Sequence, residues 1–166
     1  ISELKLRASY GVTGNFNIGN FQHLGTVSTF AYSPGNKTVN ATAQTALENP
    51  DLSWEKTKGY DFGLDLGLFK NRVNINFDYY DNRTTNMLYN VNIPAITGFS
   101  SAITNAGEVR NRGVDLEVTT KNTVGNFKWS TSFNISRNKN SITDLGGVDQ
   151  RINTLWSMDW LLRKGE

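Results

Sequence analysis

From Tyr60 to Phe69 the chain reads YDFGLDLGLF, with Tyr60, Phe62, Leu64, Leu66 and Leu68 on even positions and Asp61, Gly63, Asp65 and Gly67 on odd ones. Successive side chains of a β-strand point to opposite faces, so a period of two sorts these residues into one apolar and one polar face. The pattern recurs along the chain. Leu4, Leu6, Ala8 and Tyr10 alternate with Lys5, Arg7 and Ser9, predicting a strand over 3–11. A second strand covers 54–69, and the KNR after Phe69 predicts a tight turn in which Asn71 takes φ > 0. The apolar set then moves to the odd positions Val73, Ile75, Phe77 and Tyr79, as a short-turned hairpin with a shared apolar face requires. This third strand is expected to run over 73–90, through the polar DNRTTNMLYN. A fourth, over 107–120, opposes Val114, Leu116 and Val118 to Asp115, Glu117 and Thr119. The fifth, over 127–142, opposes Phe127, Trp129, Thr131, Phe133 and Ile135 to Lys128, Ser130, Ser132 and Asn134.

The connections between these strands are sorted by length. Residues 12–53, rich in Gly, Asn, Ser and Thr, read as a long loop that holds a short hairpin or helical turn, and 143–166 as a second long loop. VNIPAITGFSSAITN is a medium loop, whereas the connections after Phe69 and at KNTVGN are short turns. Long, short, medium, short, long is the alternation of a transmembrane barrel, with tight turns at one rim and long loops at the other. A soluble sandwich has no reason to sort its loops this way.

Composition agrees with an all-β chain: 37% hydrophobic residues, 15 Gly, 3 Pro and 21 Asn disfavour long helices. No apolar run approaches the roughly 20 residues of a membrane-crossing helix, so any passage through a bilayer is by strands. The first residues, ISELKLRASYG, are already strand-like and lack an initiator Met and a signal segment, so the chain reads as part of a longer one. Net charge is only +2, which gives no ground for a nucleic-acid partner, and no cysteine is available for disulfides, thiolate metal sites or thiol catalysis.

Charge placement matters more than net charge. Lys5, Arg7, Asp61, Asp65, Asp78, Asp115, Glu117 and Lys128 all fall on the polar face, which suits a water-filled lumen and would be a costly dry core. Phe69, Phe127 and Trp129 stand beside the short turns and Tyr10, Tyr60 and Tyr79 nearer the long loops, as in interfacial aromatic girdles.

Catalytic chemistry finds little support. The glycines of GVTGNFNIG lack the Gly-Lys-Ser/Thr ending of a phosphate cradle and read as turn formers. Asp61 and Asp65 are separated by roughly 13 Å along one strand, too far for a glycosidase carboxylate pair. Asp65 and Asp78 could meet across strands, where a luminal salt bridge or a contact to a plug is the simpler role. The one histidine, His23, has no carboxylate cluster near it in sequence, so neither a metal site nor a Ser-His-Asp triad is expected, and no motif calls for a cofactor. Four Asn-x-Ser/Thr sequons, at Asn36, Asn40, Asn82 and Asn134, are chance products of a chain rich in Asn and Thr. Among the loop aromatics, Tyr32, Phe99, Trp156 and Trp160 are the candidates to stack on cargo or to pack against a lid protein.

Four ordered stretches resemble one family: LKLRASYGVTGNFNIGNF from Leu4, NPDLSWEKTKGYDFGLDLGLFKNRVNINFDYYDNRTTNML from Asn49, IPAITGFSSAITNAGEVRNRGVDLEV from Ile93 and FKWSTSFNISRNKNSITDL from Phe127. Together they resemble the SusC/RagA class of TonB-dependent outer-membrane transporters. The closing LLRKGE resembles that family's approach to the next strand. The resemblance implies a barrel of 22 strands with an N-terminal plug and TonB as energy source. It also implies a SusD-type surface lipoprotein as lid, and an oligosaccharide or peptide as cargo. Five antiparallel strands within such an all-β barrel, embedded in outer-membrane lipid and without enzymatic activity, are therefore expected here. The alternatives are a secreted carbohydrate-binding β-sandwich and a TonB-independent porin or adhesin barrel.

Overall fold

The computed structural model describes the chain apart from Asn17, Trp156, Ser157 and Glu166, and apart from the side chains at 151, 153–155 and 158–160. Among the described residues the strands in chain order are β1 (Glu3–Asn15), β2 (Thr26–Tyr32), β3 (Val39–Ala46), β4 (Glu55–Leu68), β5 (Val73–Thr85), β6 (Leu88–Asn92), β7 (Ser101–Asn105), β8 (Glu108–Val124), β9 (Lys128–Asp144), β10 (Gln150–Leu155) and β11 (Met158–Arg163). One 3-10 turn, Ala95–Thr97, lies between β6 and β7.

Five strands form one sheet in the order β1-β4-β5-β8-β9, and every neighbouring pair is antiparallel. The other six form three separate hairpins, β2–β3, β6–β7 and β10–β11. Each hairpin is carried by a connection at the same rim of the sheet, where Asn15 faces Glu55, Thr84 faces Val109 and Glu108 faces Asp144. Among the described residues the opposite rim has the two short turns, between Leu68 and Val73 and between Val124 and Lys128.

Three sequence expectations need correction. The expected strand over 73–90 is broken: Asn86 takes φ of 58°, ending the ladder to β4 and sending residues 88–92 into β6 of a loop hairpin. The first strand does not stop at residue 11, because β1 runs on to Asn15, while the short hairpin expected within 12–53 is present as TVSTFAY paired with VNATAQTA. Residues 143–166 are not wholly loop either, because they carry the β10–β11 pairing, with Leu161–Arg163 in β11.

Phe69, Lys70 and Asn71 take φ of 53°, 59° and 59° in succession, and the Arg72 amide closes the turn on the Leu68 carbonyl at 3.0 Å. The αL expectation at Asn71 is met, but two residues less suited to that region share the turn. The Arg72 guanidinium donates to the Lys121 and Asn122 carbonyls, the latter at 2.7 Å, fastening this turn to the bulge in β8.

The register aligns the apolar positions into continuous rows, Leu4-Leu66-Ile75-Val118-Phe133 and Leu6-Leu64-Phe77-Leu116-Ile135. Among the described residues nothing covers them. Leu6 is 78% exposed and Ile135 56%, and Leu145 is the one buried hydrophobic residue among those described. A sandwich would seal such a face with a second sheet about 10 Å away, so the single layer rules against the carbohydrate-binding sandwich. The apolar rows have the form of a wall whose solvent on one side is not water.

Candidate functional site

On the opposite face the polar positions meet in a charged constellation. Arg7 of β1 grips Asp65 of β4 with two hydrogen bonds, Nε to Oδ2 at 3.2 Å and Nη2 to Oδ1 at 2.9 Å. Its Nη2 also lies 2.8 Å from Oδ1 of Asp78 on β5, two strands away. Gly63 makes this reach possible, because it stands between Arg7 and Asp78 in the ladder. A Cβ there would lie 2.5 Å from Arg7 Cζ and 2.6 Å from Asp78 Oδ1. The odd-numbered glycines of β4 leave room on the polar face that neighbouring side chains fill: Asn82 at Gly59, Arg7 and Asp78 at Gly63, and Asn71 and Glu3 at Gly67. Asp78 Oδ1 is buried and accepts no directed hydrogen bond among the described residues, so Arg7 answers its charge without saturating its lone pairs.

The acidic side continues over β8. Asp115 lies directly opposite Asp78 and receives a hydrogen bond from Ser136 at 2.5 Å, and Glu117 stands between Asn76 and Asn134. Together these residues line a cleft of about 380 Å³ on the polar face. Like charges directly opposite one another oppose pairing, so the Asp78–Asp115 contact is tolerable where water or a cation reaches it. Lys5 contacts Asp65 loosely, at 3.9 Å. Asp61 shares the face, opposite Ser9 and Tyr80, without joining the cluster. Lys128 begins β9 opposite Val124, at the short-turn rim and away from Arg7.

The four loop aromatics are not brought together. Tyr32 ends β2, 57% exposed, and Phe99 follows the 3-10 turn between β6 and β7. Trp156 lies outside the described residues, and for Trp160 only the backbone pairing with Asn153 is described, so the pair carries no geometry here. Among the described residues no group of His, Asp and Glu has metal-binding spacing.

The alternation did not point to Asn105, which joins three segments at the long-loop rim. Its Nδ2 donates to the Ser53 carbonyl at 2.6 Å and the Asn86 carbonyl at 2.8 Å, and its Oδ1 accepts from the Ser53 amide at 2.7 Å. Asn49 adds a bond to the Ile103 carbonyl, and Glu55 accepts from the Leu88 amide and the Asn15 side chain. The signal in the sequence is slight: an Asn followed by Ala-Gly, with Gly107 at φ of 119°.

Residues 1–164 match the family described as TonB dependent receptor-like, beta-barrel. The chain belongs to the TonB-dependent receptor β-barrel family. Its similarity to curated family members is 43% identity over 152 residues to the TonB-dependent receptor P39 of Formosa agariphila, covering 90% of this chain and 14% of that protein. With the TonB-dependent receptor SusC of Bacteroides thetaiotaomicron it shares 36% identity over 155 residues, 90% of this chain and 16% of the relative. Among solved structures it resembles the RagAB peptide importer in its open-open state, with a TM-score of 0.81, 34% identity, and coverage of 99% of this chain and 18% of that one. The chain therefore spans less than a fifth of the length of these TonB-dependent receptors, as an all-β stretch of antiparallel barrel wall.

Proposed function

We propose that these five strands form part of the wall of an outer-membrane importer. The parent protein has a barrel of about 22 strands and a plug domain through which TonB supplies energy. The observation that carries this reading is the two-sidedness of the single sheet: uncovered apolar rows on one face, an ion-paired polar cluster on the other. The apolar rows face lipid. Lys5, Arg7, Asp61, Asp65, Asp78, Asp115, Glu117 and Lys128 face the lumen or the plug, where hydrated solute passes without bonds being made or broken.

The two short turns lie at the periplasmic rim, and the three hairpins reach outward to meet a SusD-type lipoprotein lid. Tyr32, Phe99 and the Trp156 to Trp160 region contribute to that mouth. Peptide is the first cargo reading, supported by the description of RagAB as a peptide importer. Oligosaccharide is the second, supported by exposed rings such as Phe30 and Tyr32 on one loop hairpin.

The test uses the intact parent receptor in its own outer membrane. Cells lacking the receptor are compared with complemented cells for uptake of labelled peptides and of labelled oligosaccharides, and the purified receptor is run on a denaturing gel before and after boiling. A band that shifts on heating, a co-purifying lipoprotein and receptor-dependent uptake of one cargo class are expected. Uptake of both classes unchanged by loss of the receptor would rule out the importer reading.

A further inference from the structure

Above the apolar rows the same outward face turns cationic. Phe62-Tyr79-Val114-Arg137 is the last mainly apolar row, followed by Tyr10-Tyr60-Asp81-Arg112-Lys139 and then Val12-Lys58-Arg83-Arg110-Ser141. Directly opposed residues share a face, so six cations project from the lipid side of the wall. They begin where the hydrocarbon ends. A lipid-facing band about 25 Å tall is spanned by about ten residues of a strand tilted by roughly 40°, and on β9 Lys139 stands ten residues above Trp129 of the short-turn rim, with Arg137 one row lower and its long stem free to lift the guanidinium to the boundary. Tyr10 and Tyr60, with ring centroids 4.9 Å apart, sit at the same boundary, the place of an aromatic belt.

The protein leaves part of this charge unanswered. Arg83 pairs with Glu108 at 2.7 Å, and Asp81, although opposite Arg112 in the ladder, gives its carboxylate to Arg110. Among the described residues Arg112, Arg137 and Lys139 form no salt bridge, and Arg112 and Lys139 are direct cross-strand neighbours. Like charges so placed weaken the pairing, a cost that an anion lying across both strands would remove.

We infer that Arg112, Arg137 and Lys139, flanked by Lys58 and the Arg83–Arg110 pair, form a docking site for the phosphate-bearing headgroup of a lipid in the outermost leaflet. Guanidinium forks match phosphate oxygens, and a phosphate monoester carries nearly two negative charges to set against the Arg112–Lys139 pair. The lipid's acyl chains lie along Phe62, Tyr79 and Val114 and down the Leu64-Phe77-Leu116 and Leu66-Ile75-Val118 rows below. Phosphate chemistry and hydrocarbon are thus met at their proper heights by one surface. The inference rests on the orientation proposed above, with the hairpins outside.

The full-length receptor is placed in phosphatidylcholine nanodiscs with trace lipid A bearing two phosphates, or the same lipid enzymatically dephosphorylated, and bound glycolipid is measured. The wild type is expected to enrich the phosphorylated form. The R112Q/R137Q/K139Q variant is expected to lose on the order of a hundredfold in that affinity, while R112K/R137K keeps most of it. Equal binding by the wild type and the Gln variant, or no preference of the wild type for phosphate, would overturn the inference. Heat-shift on gels checks that the variants are folded, and a protease site inserted at Gly35, in the β2–β3 turn, reports orientation on intact cells. Cleavage from outside together with unchanged lipid binding defeats the lipid site alone; protection of that site defeats the orientation and the lipid site together.

Discussion

Gly63 shows how much a missing side chain can organise. In a strand it costs backbone entropy and packing, yet here its absent Cβ is the space through which Arg7 crosses β4 to Asp78. A valine at this position would displace the guanidinium and leave Asp78 facing Asp115 with no cation. G63V is expected to destabilise the full-length receptor by about 1–3 kcal/mol, seen as a lower urea midpoint. Gly11 is the control on the same face, since a Cβ there meets nothing within 4 Å, and G11V is expected to leave the midpoint in place. The alternation made the charged residues legible, because parity alone sorts Arg7, Asp65 and Asp78 onto one face. It did not make their meeting legible, because which Asp lies within Arg7's reach depends on register across three strands and on a gap at Gly63.

At the scale of elements, the wall strands announce themselves by period two, while the loop hairpins do not. TVSTFAY and VNATAQTA have little apolar alternation, since almost every residue of β2 and β3 is exposed and neither face has a core to meet. Their pairing rests on backbone hydrogen bonds and Thr contacts such as Thr26 with Thr45, which leave almost no hydrophobic trace. The break in β5 was hidden for a related reason: Asn86 turns the chain by backbone conformation within an unbroken polar stretch. What fixes the loops is the Asn105 clamp. N105A removes three hydrogen bonds that join Ser53, Asn86 and β7, and is expected to lower the free energy of local loop opening by about 2 kcal/mol. The reading is faster limited-protease cleavage within 88–105, with the heat-shift of the barrel on gels unchanged; a wild-type cleavage rate would show that the clamp does not hold the loop.

For the whole molecule, the two faces imply opposite tolerance to charge at one depth. Leu66 and Asn74 are close in the β4–β5 register, but Leu66 belongs to the outward apolar row and Asn74, opposite Gly67, to the inward polar face. L66R is expected to cost about 2–4 kcal/mol near the bilayer midplane and to cut the yield of assembled receptor, whereas N74R, on the watered side, leaves the yield near wild type. Similar yields for the two would contradict the assignment of faces. The family, the all-β class and the division into apolar and polar faces could all be read from residue order and parity. The cationic rows could not, because Asp81, Arg83, Arg110 and Arg112 continue the parity of the apolar residues and look like strand ends until the ladder lines them up.

Among the described residues each loop hairpin pairs with itself alone, β2 with β3, β6 with β7 and β10 with β11, and every wall strand pairs with wall strands alone. The molecule is therefore modular at right angles to the membrane. A hairpin can be lengthened, replaced or deleted during evolution without changing the register of a single wall residue, so the long-loop rim can be rebuilt while the wall is inherited intact. For the engineer the same partition marks the β2–β3 connection, beyond the clamp at Ser53, as the place to graft foreign loops onto an unchanged barrel.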